Sequence, residues 1–218
     1  MAVLRLELSE VASPCRIVAI GCHADDIEIG CGGTILRLLD SLPEVEVLWV
    51  VLTGEGRRAD EVRRSAGAFL EGAARQEVAI AGFRDGFLPY QGYDVKQFFE
   101  DLKPRIEPDL IFTHYRGDLH QDHRLACELT WNTWRHQLIL EYEVPKYDGD
   151  LGSPNVFVEL GEEVARAKVA KLLEYFETQL DRHWFTEDLF LGLMRLRGME
   201  AASPARYAEG FYGRKIVL

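Results

Sequence analysis

A chain of 218 residues with 47% hydrophobic content is long enough for one α/β domain with its own core, and it needs no disulfide to hold it. Its 25 Lys and Arg against 36 Asp and Glu leave a net charge of −11, which argues against a nucleic-acid or anionic-membrane partner. Cys15, Cys22, Cys31 and Cys127 form no C-x-x-C pair, so they read as reduced, buried thiols of a cytoplasmic protein.

The N-terminal residues alternate apolar and polar side chains, which suggests an edge strand at 3–8 and lacks the apolar run of a signal peptide. No stretch reaches membrane-spanning length. Arg16 to Cys22 reads as a first central strand and Gly30 to Leu39 as the helix behind it. Val45 to Leu52 is a second buried strand that stops at Thr53-Gly54-Glu55-Gly56. A helical pattern from Arg58 to Gly72, a short strand from Glu77 to Ile80, an irregular loop and a helix from Val95 to Leu102 follow. Leu110 to Thr113 is a fourth strand and Arg124 to about Gln137 another helix. Strands that alternate with helices and lack hairpin signals predict an α/β fold, a Rossmann-like parallel sheet with helices on both faces.

Past residue 138 the pattern loosens. Ile139 to Val144 and Val156 to Leu160 suggest strands, Glu162 to Leu180 a helix, and the remainder is mixed. We read one domain over 1–218, with a core at about 16–137 and a C-terminal extension at about 138–218 packed on it.

Two strand ends carry the chemistry. His23-Ala24-Asp25-Asp26 closes the first central strand, and His120-Gln121-Asp122-His123 follows the fourth. In a parallel sheet both lie at the carboxyl edge, where open α/β sheets place their sites. Either segment alone also reads as a helix cap or a satisfied surface residue. Together they offer histidine and carboxylate ligands for a catalytic zinc ion, with a carboxylate left over for acid–base work.

These motifs, with Gly32-Gly33-Thr34, Thr53-Gly54-Glu55-Gly56, Arg58-x-x-Glu61, Asp85-Gly86 and Asp118-x-His120, resemble the LmbE/PIG-L family of zinc-dependent N-acetylglucosaminyl deacetylases over residues 16–130. Thr178-Gln179 corresponds to a frequent Ser-Gln of that family. The family usually has His-Pro-Asp-Asp-Glu, where this chain has Ala24 and Ile27; neither replaced side chain is a metal ligand there. The resemblance implies that His23, Asp26 and His123 hold zinc and that Asp25 is the general base. It implies a protonated His120 at the oxyanion, with Asp122 behind it to hold its tautomer. Arg58, Asp85 and Asp118 are the substrate-binding candidates that follow from it, although Arg58 also suits a pair with Glu61 and Asp118 a second-layer role. The remaining His114, Arg116 and Arg124 read as scaffold.

The expected reaction is removal of the N-acetyl group from an N-acetyl amino sugar or its conjugate. Alternatives are a sugar-binding protein of the same fold without catalysis, and an amidohydrolase acting on a non-sugar amide. Iron or another divalent metal suits the same ligands. Expected partners are a small-molecule glycoconjugate and, as in relatives, further copies of the chain; nucleic acid and membrane are not expected. A phosphotransfer receiver domain leaves the histidines without a task. A dinucleotide-binding domain lacks its G-x-G-x-x-G, since Gly21 is followed by Cys-His-Ala-Asp.

Overall fold

The computed structural model describes residues 13–216, so the strand expected at 3–8 lies outside the described residues. Seven strands form one sheet: β1 (Cys15–Gly21), β2 (Val45–Thr53), β3 (Arg75–Phe83), β4 (Leu110–His114), β5 (Leu138–Tyr142), β6 (Val156–Leu160) and β7 (Tyr207–Gly213). The helices are α1 (Asp26–Ser41), α2 (Arg57–Phe69), α3 (Gly92–Leu102), α4 (Gln121–Thr133), α5 (Glu162–Tyr175) and α6 (Glu187–Glu200). Strand order is β3-β2-β1-β4-β5-β7-β6. The first five are parallel, and β7 runs antiparallel between β5 and β6.

Alternation along the buried strands sorts side chains to two cores. Ile17, Ala19, Val47, Trp49 and Phe112 face α1, α2, α5 and α6, while Val18, Ile20, Leu48, Val50 and Ile111 face α3 and α4. Both faces are covered, which is why these strands read as continuous apolar runs. The chain reverses its direction of growth between β1 and β4, the switch point at which doubly wound sheets open a crevice.

The extension does more than pack on this sheet. It contributes β5, β7 and β6, a continuation of the sheet itself, and β7 was hidden because Tyr207-Ala-Glu-Gly-Phe-Tyr-Gly213 is broken by glycine and glutamate. Helix α6 also went unassigned, and the helix expected to Leu180 ends at Tyr175, followed by a single 3-10 turn at Glu177–Gln179. Among the described residues no helix is long and apolar enough to cross a membrane.

The glycine-rich run inside α1 is a packing device. A Cβ on Gly30 would stand 2.1 Å from the Tyr142 ring, one on Gly32 2.7 Å from Phe69, and one on Gly33 2.6 Å from Leu160. Glu209 of β7 reaches into α1 and accepts the Gly33 and Thr34 N–H groups at 2.9 and 2.7 Å, while Lys168 of α5 donates to the Ile29 carbonyl at 2.6 Å. The helix that begins at Asp26 is thus clamped mid-length by the extension.

Candidate metal centre and active site

At the end of β1 the chain turns through His23 and Ala24 directly into α1. Asp25 is the helix N-cap residue by position, yet its side chain makes no capping bond. The cap reading of the Asp pair therefore fails for Asp25, whose carboxylate turns to the Arg58 guanidinium at 3.2 Å. Asp26 folds back so that Oδ2 accepts the His23 N–H at 2.7 Å.

The three expected ligands come together. His23 Nδ1 lies 3.3 Å from Asp26 Oδ2 and 3.2 Å from His123 Nε2, and the third edge, His123 Nε2 to Asp26 Oδ2, is 3.5 Å. Tetrahedral zinc with bonds of about 2.0–2.1 Å spaces its ligand atoms about 3.3 Å apart. The triangle has that size. Its histidines are each backed by a carboxylate on the far nitrogen: His123 Nδ1 is 2.8 Å from Asp118 Oδ2, and His23 Nε2 is 3.1 Å from Asp85 Oδ1 and 3.3 Å from Asp122 Oδ2. Such outer carboxylates fix the tautomer and raise ligand basicity.

Charge supports the same fit. Burial works against a positive His23, but Asp26, together with hydrogen bonds to Asp122, Asp26 and Asp85, outweighs it and holds the ring's pKa well above the usual histidine range. A pocket that draws a proton so strongly favours a cation. His123 is pushed down to about 4, by burial first and then by neighbouring His114, so its lone pair is available at neutral pH. Burial alone would raise Asp26, yet His123, His114 and His23 hold it far below the ordinary carboxylate value. Asp25 behaves oppositely: burial, with repulsion from Asp26, pushes it up to about 7 against the pull of Arg58. Two adjacent carboxylates are thereby split into one kept ionised and one near the pKa of a general base.

Three expectations are corrected. Asp122 does not hold His120 with its carboxylate, which instead accepts the Gly86 and Leu88 N–H groups at 2.8 and 3.1 Å and backs His23. It is the Asp122 backbone N–H that reaches His120 Nδ1, at 3.3 Å, as His120 caps α4. With Nδ1 an acceptor, the neutral ring carries its proton on Nε2. Burial and the repulsion of His23 lower its pKa, which with the Nδ1 acceptor contact favours the neutral ring over the imidazolium that the resemblance implied. Asp118 is not a substrate contact: it is buried, accepts the His120 N–H at 2.8 Å, and shares Oδ2 between His123 and Lys146. Arg58 is committed to Asp25, Glu61 and Thr178. Of the three substrate candidates only Asp85, whose side chain is 76% exposed, stands open at the mouth.

His114 was passed over. Its Nε2 is 3.2 Å from Asp26 Oδ2 and accepts the Cys22 N–H at 3.0 Å, and its ring stacks on His123 at 3.8 Å. The signal was strand alternation, since Phe112 and His114 share the β4 face that looks at α1. Cys22, Asp26, His114 and His123 also form a fully buried set of ligand atoms within 4.8 Å of one another, and the partly exposed His23 and His120 form a second set with buried His123. Asp25 belongs to neither.

The PIG-L family profile, described as GlcNAc-PI de-N-acetylase, matches residues 18–134. The uncharacterised deacetylase YaiS of Escherichia coli is 30% identical over 169 residues, covering 73% of this chain and 89% of that protein. Among solved structures, N,N'-diacetylchitobiose deacetylase of Pyrococcus horikoshii superposes with a TM-score of 0.68 at 21% identity, over 91% of this chain and 83% of that one. GalB, the 4-carboxy-2-hydroxymuconate hydratase of Pseudomonas putida, does so with a TM-score of 0.73 at 17% identity, over 94% and 98%.

Proposed function

The chain belongs to the PIG-L family of deacetylases, hydrolases of an amide C–N bond, and on that premise we propose that it is a zinc-dependent enzyme that removes the acetyl group from an N-acetyl amino sugar or its conjugate. The observation that carries the reading is the His23, Asp26 and His123 triangle with the Asp25 carboxylate, held by Arg58 and no part of that triangle, beside it. Fold alone would not carry it, since a superposable chain is a hydratase.

His23, Asp26 and His123 would hold the zinc, which when bound would supply a Lewis acid to make water nucleophilic near neutral pH and polarise the amide carbonyl. Asp25 takes a proton from the attacking water. His120 donates its Nε2–H to the carbonyl oxygen as negative charge develops there. As the C–N bond breaks, Asp25 returns its proton to the departing nitrogen, leaving a free amine and acetic acid, which ionises to acetate. Asp118, Asp122 and Asp85 keep the two ligating rings oriented throughout. What supports a sugar is the sheet edge: Asp85 and the exposed rings of Tyr90, in a 3-10 turn, and Tyr147 follow the carboxyl ends of the parallel strands β3 and β5.

The test pairs metal analysis with acetate release from N-acetylglucosamine, its disaccharides and its glycosides. One zinc per chain and acetate from at least one of these is the expected result. Absence of metal uptake by folded protein removes the proposal. Cleavage of a simple N-acetyl amide with none of the sugars moves it to a non-sugar amide.

A further inference from the structure

Two sequence motifs have no task in this mechanism, Arg58-x-x-Glu61 and Thr178-Gln179, and the structure joins them. Glu61, in α2, is buried. Its Oε1 accepts the Thr178 N–H at 2.8 Å, and its Oε2 accepts the Thr178 hydroxyl at 2.7 Å and Arg58 Nη1 at 3.1 Å. Arg58 Nη1 also donates to Thr178 Oγ1 at 3.1 Å, and Nη2 reaches Asp25 Oδ2 at 3.2 Å. The guanidinium lies 5.8 Å over the Phe176 ring. Among the described residues no other side chain donates a hydrogen bond to Asp25.

An Arg–Glu pair three residues apart on a helix would form without help from elsewhere. Here both Glu61 oxygens are also engaged by Thr178, which stops the carboxylate from rotating and fixes one edge of the Arg58 fork. The opposite edge is then presented to Asp25 in one orientation. Since Arg58 is planar and its donors rigidly spaced, fixing one edge fixes the other. The contact crosses from α2 to the 3-10 turn of the extension, so the extension has a hand in the active site.

We propose that Thr178 and Glu61 are positioning residues that act through Arg58 to hold Asp25 toward the attacking water. This rests on the reading of Asp25 as the general base. An ångström-scale misplacement of a catalytic group costs up to about a hundredfold in rate.

The experiment compares Thr178→Val, Thr178→Ser and Glu61→Gln in the metal-loaded full chain. We expect kcat to fall by about tenfold or more in Thr178→Val and Glu61→Gln, with KM and zinc content unchanged, and to recover within about twofold in Thr178→Ser. A readout independent of turnover is phenylglyoxal labelling followed by mass spectrometry, in which Arg58 should react several-fold faster in Thr178→Val than in the wild type or Thr178→Ser. Wild-type kcat in both Thr178→Val and Glu61→Gln overturns the relay and leaves the deacetylase reading standing. A lower kcat with unaltered Arg58 labelling overturns it as well, because the effect is then not exerted through Arg58. If the wild type releases no acetate from any substrate, the functional reading fails and the catalytic role proposed here falls with it.

Discussion

Asp118→Asn separates a carboxylate that supports the metal from one that binds substrate. In the wild type Oδ2 faces His123 Nδ1 at 2.8 Å and Lys146 Nζ at 2.7 Å, and Oδ1 accepts the His120 N–H at 2.8 Å. Every one of these partners is a donor. Asparagine keeps a single oxygen, so whichever way the amide turns, an NH2 group meets a donor. The milder orientation leaves the oxygen on His123 and Lys146 and abandons the His120 amide, at a cost of about 1–3 kcal/mol in stability. Lys146 keeps Asp150, at 2.6 Å, so its charge is not orphaned. With no full negative charge behind it, His123 becomes a weaker ligand, and loss of such a partner lowers metal affinity about 10–100-fold. That range corresponds to about 1.4–2.7 kcal/mol of binding free energy. Competition with a chromophoric chelator gives the zinc affinity, and thermal melts of the metal-free chain give the stability. Unchanged affinity and melting with a raised KM would refute the reasoning and return Asp118 to the role of a substrate contact.

Asp25→Asn should keep one metal per chain and lower kcat by about 10²–10⁴-fold; concurrent loss of the metal would make Asp25 a ligand. Asp25 acts deprotonated, burial pushes it up to about 7, and a bound cation pulls it back down, so kcat/KM should fall on the acid side as pH drops below about 7. A profile flat from about pH 4 to 8 contradicts the assignment. Glu28, buried against Ser65, is raised by burial to about 8 from 4.5, so the folded state favours its proton. Its contribution is fully present below the unfolded pKa and lost as pH rises through about 8, which makes Glu28→Gln more stable than wild type by an amount that opens across that window and vanishes near pH 4.5. Melting of the metal-free proteins across pH reads this directly, and a pH-independent difference would contradict it. Gly30→Ala drives a methyl into the Tyr142 ring 2.1 Å away and should cost about 1–3 kcal/mol or more despite alanine's better helix propensity. A variant as stable as wild type would mean that Tyr142 is free to move.

The parallel core and the meeting of His23, Asp26 and His123 were legible because the information is local. A strand that ends in His23 and runs at once into a helix leaves little doubt about where Asp26 points, and His123 one turn into α4 looks back at the same edge. What was not legible was which carboxylate serves which ring. Asp118 and Asp122 flank His120 at equal distance in sequence, and only the register of the first turn of α4 sends Asp122 toward the Gly86 loop and Asp118 beneath His123. Arg58 misled for a related reason. An arginine in the first turn of α2 at the sheet edge suits a ligand, and apart from Glu61 its partners, Asp25 and Thr178, lie 33 and 120 residues away. β7 escaped because Glu209, Gly210 and Gly213 break the apolar pattern of a strand that must be buried.

The same long-range ties explain why the extension cannot be a detachable specificity module. Asp25 and Asp26 stand at the start of α1, and their placement depends on how that helix is held along its length. Its mid-helix N–H groups at Gly33 and Thr34 go to Glu209 of β7, and Lys168 of α5 neutralises that glutamate at 2.6 Å while donating to Ile29. Both charges are buried, and removing one partner of such a pair costs about 3–5 kcal/mol because the other is left without compensation. Only glycine at 33 lets the carboxylate approach, since a Cβ there would lie 3.0 Å from Glu209 Oε1. The glycine-rich run after the metal motif, which reads as a feature of the site, is therefore the docking surface for the extension. Through Glu209 at the middle of α1 and Thr178 behind Arg58, residues beyond 138 hold Asp26 and Asp25 from two directions.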